Sequence, residues 1–301
     1  LHERAPELAE NWRWQMCQLR ANYDVYTRHR LLYEQRLEKE ANAILMERAP
    51  TDPDGAMAAA WAVLEKGETE RINKDQYERI VEIADSLFRL IGMQTSMERH
   101  KASGYQRGCV IDLIHYPLFN RWWLEDEFAK VREMATPAEK SARLIELATW
   151  ENPGPGNFYD DIGNIGGMPR RIAGETLFTD PLSVRNPDNG FMWWDEGFSR
   201  RRVSWQSYTT RTLGLRYDGL DPAARYTIRA TGMGTPILKT DGMTLTMNEP
   251  GAKEIGEIMT FNVPRAAYAD GTMVLTWERP GEANLNWRQA SRLTEVWLLK
   301  E

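Results

Sequence analysis

The sequence predicts an α+β chain of two domains. An antiparallel helical bundle fills residues 1–149, an antiparallel β-sandwich of jelly-roll type fills 202–301, and an ordered connector spans 150–201. Three observations carry this. Apolar residues recur every three or four positions before residue 149 and every second position after 202. The change falls at Trp150-Glu151-Asn152-Pro153-Gly154-Pro155-Gly156, where two Pro-Gly steps stop a helix, because proline fixes φ and glycine frees it. The 301 residues, 42% hydrophobic and 27% charged, suffice to bury a core in each of two domains.

From Pro6 to Glu47 the pattern is one long helix. Leu8, Trp12, Met16, Leu19, Tyr23, Tyr26 and Arg30 step by three or four, and Leu37, Ala41, Ile44 and Leu45 continue the stripe. Arg28, Arg30, Arg36, Glu38 and Glu40 form the polar face, read as solvated. Ala49-Pro50-Thr51-Asp52-Pro53 ends this helix, and Asp54 or Thr51 caps the next. That one runs from Ala56 to Lys66 and stops at Gly67. Asn73 caps a third through Ile91. Residues 102–117 are less regular; Leu118 to Met134 is helical again. Thr136-Pro137-Ala138-Glu139 then opens the last helix, to about Thr149, with threonine as cap, proline at the first position and glutamate closing a capping box.

The connector is rich in proline, glycine and aromatics. Its densest run, Phe191-Met192-Trp193-Trp194-Asp195-Glu196-Gly197-Phe198, reads in two ways. Exposed, it is a loop for sugar stacking or partner binding; buried, it is a plug between the domains. Period-two alternation then marks strands at Val203–Tyr208, Leu213–Tyr217, Tyr226–Thr231, Met243–Met247, Ile258–Val263, Thr272–Trp277 and Leu293–Leu299. Asp218-Gly219, Asp241-Gly242 and Asp270-Gly271 are turns between them.

Composition excludes some classes. A formal net charge of -6 and no basic run longer than Arg200-Arg201-Arg202 leave no footprint for nucleic acid. No apolar run approaches the roughly 18 residues of a membrane span. Phosphate loops, dinucleotide glycine patterns, nucleophile elbows and His-Glu metal helices are absent. Cys17 and Cys109 match no zinc or redox spacing and are expected to be buried free thiols. The first residue, Leu1, fits a mature product, a trimmed form or a piece of something longer.

Candidate chemistry gathers in three places. Arg107, Asp112 and His115 form either an acid/base site or a hydrogen-bonded loop anchoring two helices. Asp160, Asp161 and Asn164 supply oxygens for calcium, or cap turns. Asp160 and Asp161 are adjacent like charges, so a cation, an arginine or backbone N–H groups must offset them. Asp195 and Glu196 are a second adjacent pair. Neighbours in sequence diverge in extended backbone and cannot be the carboxyl pair of a glycosidase by themselves.

Residues 150–164, ending Gly156-Asn157-Phe158-Tyr159-Asp160-Asp161-Ile162-Gly163-Asn164, resemble a W-x-(N/D)-P-G-P-G-G-F-Y-D-D-L-G signature. It belongs to the C-terminal part of large bacterial glycoside-hydrolase-like proteins. Leu215-Arg216-Tyr217-Asp218-Gly219-Leu220-Asp221-Pro222-Ala223-Ala224-Arg225-Tyr226 is similar to its M-R-Y-T-G-L-D-P-x-A-x-Y segment. Thr294-Glu295-Val296-Trp297-Leu298-Leu299 is similar to its closing A-E-V-W-L strand. The resemblance implies a catalytic barrel upstream, outside this chain, then a helical segment and a galactose-binding-like sandwich. It departs at Ile165-Gly166-Gly167-Met168-Pro169-Arg170-Arg171, which stands for a P-H-L-V pattern and lacks its histidine. It departs again at Leu285-Asn286-Trp287, which replaces a glycine-rich turn. No catalytic residue is carried over.

Three functions follow as expectations. The first is an accessory part of a carbohydrate-active protein, which binds glycan through Trp193, Trp194, Tyr159 and Arg107 and braces a catalytic domain or partner chain. A polysaccharide partner favours an extracellular or periplasmic setting. The second is a glycoside hydrolase or lyase in its own right, with a cleft between bundle and sandwich and with Asp112, His115, Asp161 and Glu196 as its candidate groups. The third is a protein–protein assembly module.

Overall fold

The computed structural model describes residues 4–104, 108–162, 169–172, 189–192, 203–207, 213–234, 237–248, 252–278 and 292–301. Contacts divide the chain into two units. One is Leu1–Arg121 with Val131–Leu144; the other is Trp122–Lys130 with Ile145–Glu301. An α+β chain, with helices first and antiparallel sheets after, is what forms.

The long helical pattern is broken near its start. A 3-10 turn over Pro6–Glu10 precedes α1, Trp12–Arg48, because the Asn11 side chain caps the backbone N–H of Trp14 at 3.2 Å and begins a new helix there. At 1.5 Å per residue α1 is about 55 Å long. It packs against α2, Pro53–Leu64, and α4, Lys74–Ile91. Leu19 and Tyr26 of α1 share a core with Ile80, Ile83, Ala84 and Leu87 of α4 and with Ile111 and Ile114. Single helical turns occupy Lys66–Thr69 (α3), Met97–His100 (α5) and Val110–Leu113 (α6), and two further helices are Arg121–Arg132 (α7) and Pro137–Ala148 (α8). Five helices of 12 residues or more thus stand where five were expected among the described residues.

Several local expectations change. Asp52, not Asp54 or Thr51, caps α2, accepting from Gly55 N at 2.9 Å. Gly67 lies inside α3 rather than ending α2. Asn73 occupies the cap position of α4, but with φ 49° its amide meets His29 Nδ1 at 2.5 Å instead of a helix N–H. Arg30 and Glu38 are buried rather than solvated. They follow Tyr26 at steps of four, in phase with Leu37, Ala41 and Leu45, so the helix turns them inward with the apolar stripe. Cys17 is exposed; only Cys109 is buried, and both are free thiols.

In the second unit β1 is Phe158–Asp161, β2 Asn189–Met192, β3 Val203–Ser207, β4 Leu213–Asp218, β5 Tyr226–Gly234, β6 Ile237–Thr240, β7 Met243–Leu245, β8 Ala252–Val263, β9 Thr272–Glu278 and β10 Arg292–Lys300. One sheet runs β2-β3-β10-β5-β8, and the other β4-β9-β6-β7. Along one edge of β10, residues 292–293 pair with β3 and residues 295–298 with β1, while β5 takes the other edge. Both β1 and β2 fall in the stretch read from sequence as connector. β6 was not anticipated either, although Asp241 (φ 46°) and Gly242 (φ 80°) link it to β7. Two left-handed residues in a two-residue loop match the right-handed twist of the strands they join.

The sheets bury their side chains in one hydrophobic cluster. Ile228, Ala230, Phe261, Val296 and Leu298 come from the first sheet, and Leu215, Tyr217, Leu238, Leu275 and Trp277 from the second. Among the described residues no helix is long and apolar enough to cross a membrane.

The capping box at the start of α8 is formed. Thr136 N donates to Glu139 Oε2 at 2.9 Å, and Glu139 N donates to Thr136 Oγ1 at 3.2 Å. Thr136→Ala should lower stability by about 1 kcal/mol, the usual loss at an N-cap. Urea denaturation measures it, and an unchanged midpoint would mean that the cap contributes nothing.

Candidate functional site

Strand alternation divides the polar residues of the corner between two faces of the first sheet. β1 and β10 pair in the register Phe158↔Leu298, Tyr159↔Trp297, Asp160↔Val296 and Asp161↔Glu295. Val296 and Leu298 point into the core cluster, so Phe158 and Asp160 point there too. Tyr159, Asp161, Glu295 and Trp297 occupy the opposite face, with Arg229 and Thr231 of β5 beside them.

On the core face, Asp160 is 0% exposed. Its Oδ1 accepts from an Arg170 guanidinium nitrogen at 3.1 Å, and its Oδ2 accepts from the Tyr217 hydroxyl at 3.1 Å. Arg170 donates to the Tyr159 carbonyl at 3.0 Å as well, and lies 4.8 Å over the Phe158 ring. Backbone bonds Arg216 N to Arg170 O at 2.8 Å and Ile172 N to Gly214 O at 2.9 Å lay this segment along β4. Burial pushes the Asp160 carboxyl above the ordinary carboxylate range, while Arg170 and the Tyr217 hydroxyl pull it back. Burial first, then Asp160, holds the Tyr217 hydroxyl well above the usual tyrosine range. Of the three offsets open to the aspartates, Asp160 draws on an arginine, Arg170, and on a backbone hydrogen bond from the same residue. Both carboxyl oxygens of Asp160 are engaged by protein donors, and Asn164 of the suggested calcium set Asp160, Asp161 and Asn164 lies outside the described residues. Among the described residues no group of three or more His, Cys, Asp or Glu side chains is arranged to hold a metal.

The opposite face holds a carboxylate in a frame of aromatics. Glu295 Oε1 accepts from Trp150 Nε1 at 3.2 Å and from the Tyr159 hydroxyl at 2.7 Å; its Oε2 accepts from Thr231 Oγ1 at 3.2 Å. Trp297 Nε1 donates to the Trp150 carbonyl at 2.9 Å. The Trp150 ring meets Trp123 at 5.1 Å and Trp297 at 5.3 Å, both edge-on, and Tyr159 tilts against Trp297 at 5.3 Å. Arg229 lies over Trp297 and pairs with Glu146 at 3.4 Å.

Asp161 sits directly opposite Glu295, where cross-strand Cβ atoms are about 5 Å apart. A retaining glycosidase needs two carboxyl groups, as distinct from their Cβ atoms, about 5 to 5.5 Å apart. Here exposures of 5% and 6% close both to substrate. Sequence reasoning weighs only adjacent acids and misses this pair, as it misses Tyr217 and Thr231, whereas Arg170 is, with Arg171, the nearest cation in sequence to the two aspartates. The available signal was Glu295 itself, an acid in a strand apolar on both faces.

In the helical unit the expected Asp112–His115 pair takes separate partners. Asp112 accepts from Met97 N at 2.8 Å and lies beside the Cys109 thiol, which burial pushes up. His115 Nε2 meets the Tyr26 hydroxyl at 2.9 Å, and its ring lies 4.7 Å from that of Tyr77. Burial, then Arg71 and Arg30, lower His115 to about 4, so the ring is neutral at pH 7.

Beneath it Arg30 pairs with Glu34 Oε1 at 2.6 Å and donates to the carbonyls of Ile114 and Tyr116. Glu34 Oε2 accepts from Leu118 N at 2.6 Å and Phe119 N at 3.2 Å. Burial raises Glu34, against the pull of Arg30. Farther along, His100 joins Thr95 Oγ1 and Asp85 Oδ1, each at 2.8 Å. This has the order of a nucleophile, imidazole and carboxylate relay, but Thr95 is 1% exposed and out of reach of a substrate.

Arg107, Asn164, Trp193, Trp194, Asp195 and Glu196 lie outside the described residues. Comparison with protein-family models, with curated proteins and with solved structures gives no match to this chain.

Two measurements follow. Arg170→Ala would strand a buried carboxylate, and breaking such a pair costs about 3 kcal/mol or more. Arg170 is partly exposed, which favours the lower end. Adding Asp160→Asn should recover part of the loss in urea denaturation; equal stability of wild type and Arg170→Ala would refute the role given to Arg170. The second concerns His115, whose folded-state pKa lies below the unfolded value. Between about pH 6.5 and 4 the unfolded chain takes up a proton that the folded one does not. Stability should therefore fall as pH falls through this window, and less steeply in His115→Gln. Parallel slopes for the two proteins would contradict it.

Proposed function

We propose that this chain is a non-catalytic, accessory part of a carbohydrate-active protein, of the bacterial glycoside-hydrolase-like kind that its signature segments resemble. In this reading the two sheets form a galactose-binding-like jelly-roll sandwich that binds or orients glycan, and a catalytic domain lies outside these residues.

One observation supports the reading above the rest. The three signature segments, far apart in sequence, converge. β1 lies on β10 in register, and Tyr217 of β4 donates to Asp160 of β1. Asp221, in the turn after β4, pairs with Lys300 of β10 at 2.9 Å. Two of their acids are committed to protein donors, Asp160 to Arg170 and Tyr217 and Glu295 to Trp150, Tyr159 and Thr231. Carboxyls spent in this way hold a scaffold and do not meet a glycosidic oxygen. That favours a binding module over an enzyme.

Isothermal titration against a panel of polysaccharides tests it. At least one glycan should bind, and Trp193→Ala or Trp194→Ala should weaken it by about 1 kcal/mol, or about fivefold, for one lost aromatic contact. Flat isotherms throughout would remove glycan binding. Hydrolysis or elimination of a glycosidic substrate that vanishes in Asp161→Asn or His115→Ala would replace the accessory role with an enzymatic one.

A further inference from the structure

We propose that the helical unit binds one monovalent cation of the size of a water molecule, potassium or ammonium, on side-chain oxygens of Glu38 and Asn120. The site lies between α1 and the chain at 118–121. It stands independently of the carbohydrate reading.

A cavity of about 10 Å3 is found there, enough for a single particle as large as water. Glu34, Leu37 and Glu38 of α1, Gly67 of α3, and Asn120 and Arg121 are among the residues that line it. Glu34 and Glu38 come to the same wall because residues four apart share a helix face. Both are buried, and Asn120 is 1% exposed. The Asn120 amide is fixed by its nitrogen, as Nδ2 donates to Glu38 Oε1 at 2.6 Å. Its other end is not served: Oδ1 is buried and accepts no hydrogen bond. Buried oxygens are rarely left so, and such an atom points to a ligand.

The remaining groups of the wall decide the ligand's charge. Glu34 is held by Arg30 and by the backbone N–H groups of Leu118 and Phe119. The one guanidinium in the wall, Arg121, is turned to Glu68. What the cavity offers is therefore oxygen: an amide carbonyl, and a carboxylate with about four acceptor sites. An amide oxygen and a carboxylate together are the ligands of a hard cation. Calcium takes six to eight oxygens, and magnesium brings its own water shell; neither suits so small a cavity with so few ligands. Potassium and ammonium match it in size.

Thermal unfolding of the whole chain tests this, because a cation that binds only the folded state stabilises it by mass action. Potassium or ammonium chloride replaces tetramethylammonium chloride at constant ionic strength; the tetramethylammonium ion is too large for the cavity. The melting temperature should rise saturably with at least one of the two smaller cations. A rise with both would define a site that selects by size, potassium alone a metal-ion site, and ammonium alone a site that needs N–H donors. Glu38→Gln should raise the concentration for half the effect by roughly tenfold, the loss of about one charge-assisted contact. Gly67→Ala removes no ligand. Its Cβ would meet Glu34 Cγ at 3.6 Å and Leu37 Cδ1 at 3.7 Å, ordinary contacts that narrow the cavity without displacing the helix. This variant should lose most of the response, while circular dichroism in tetramethylammonium chloride verifies that both variants fold. A melting temperature indifferent to the exchange of cations, or an undiminished response in either variant, would overturn the proposal.

Discussion

A carboxylate with no access to water has to find its solvent inside the protein, and Asp160 is such a group. Desolvation alone would drive it to bind a proton or leave the core. Arg170 and Tyr217 supply the missing hydration, and in doing so they fix three pieces of chain to one another. These are the first strand of the corner, the segment 169–172, and β4 of the second sheet. Side chains of both sheets share one apolar cluster, to which Tyr217 belongs. Hydrophobic contact tolerates sliding, but a bond of fixed length and angle does not. The polar bridge accordingly sets where β1 lies along its neighbours, and packing supplies most of the stabilisation.

The helical unit solves the same problem in another way. Arg30 and Glu34 sit four residues apart on α1 and are both buried, so each neutralises the other within one helix. Their remaining hydrogen-bonding capacity is turned outward to the chain at 114–119, which has little regular structure of its own. One helix thus orders a loop by offering it both a donor and an acceptor. His115 belongs to that ordered loop and meets the Tyr26 hydroxyl of the same helix.

Much of the fold was legible because it rests on local rules. The capping box at Thr136, the Asp-Gly turns and the period-two strands each depend on residues within a few positions of one another. The site was far less legible. Asp161 faces Glu295, and Asp160 meets Tyr217, only once strands distant in sequence have paired, whereas Arg170 lies ten residues from Asp160 and is among its nearest cations in sequence. Arg30 could have been placed inside by its phase on α1, but charge argued for water, and no local rule announces the carbonyls that make its burial tolerable. β1 was hidden for a different reason. Two Pro-Gly steps just before it signal irregular chain, and nothing local tells that the next four residues find a partner strand at 295–298.

Strand β10 sits inside the first sheet, with β5 on one edge and both β1 and β3 on the other. It is also the last strand of the sheet to leave the ribosome. At synthesis rates of about 5 to 20 residues per second, β1 waits on the order of ten seconds for the strand it pairs with. During that interval β1, β3 and β5 have unsatisfied edges, and Trp150 and Tyr159 have no Glu295 to hold. The helical unit has no such delay, since most of its residues are translated before the corner. Synthesis of this chain therefore passes through a period in which the sheet lacks its central strand, and exposed strand edges invite association with other chains.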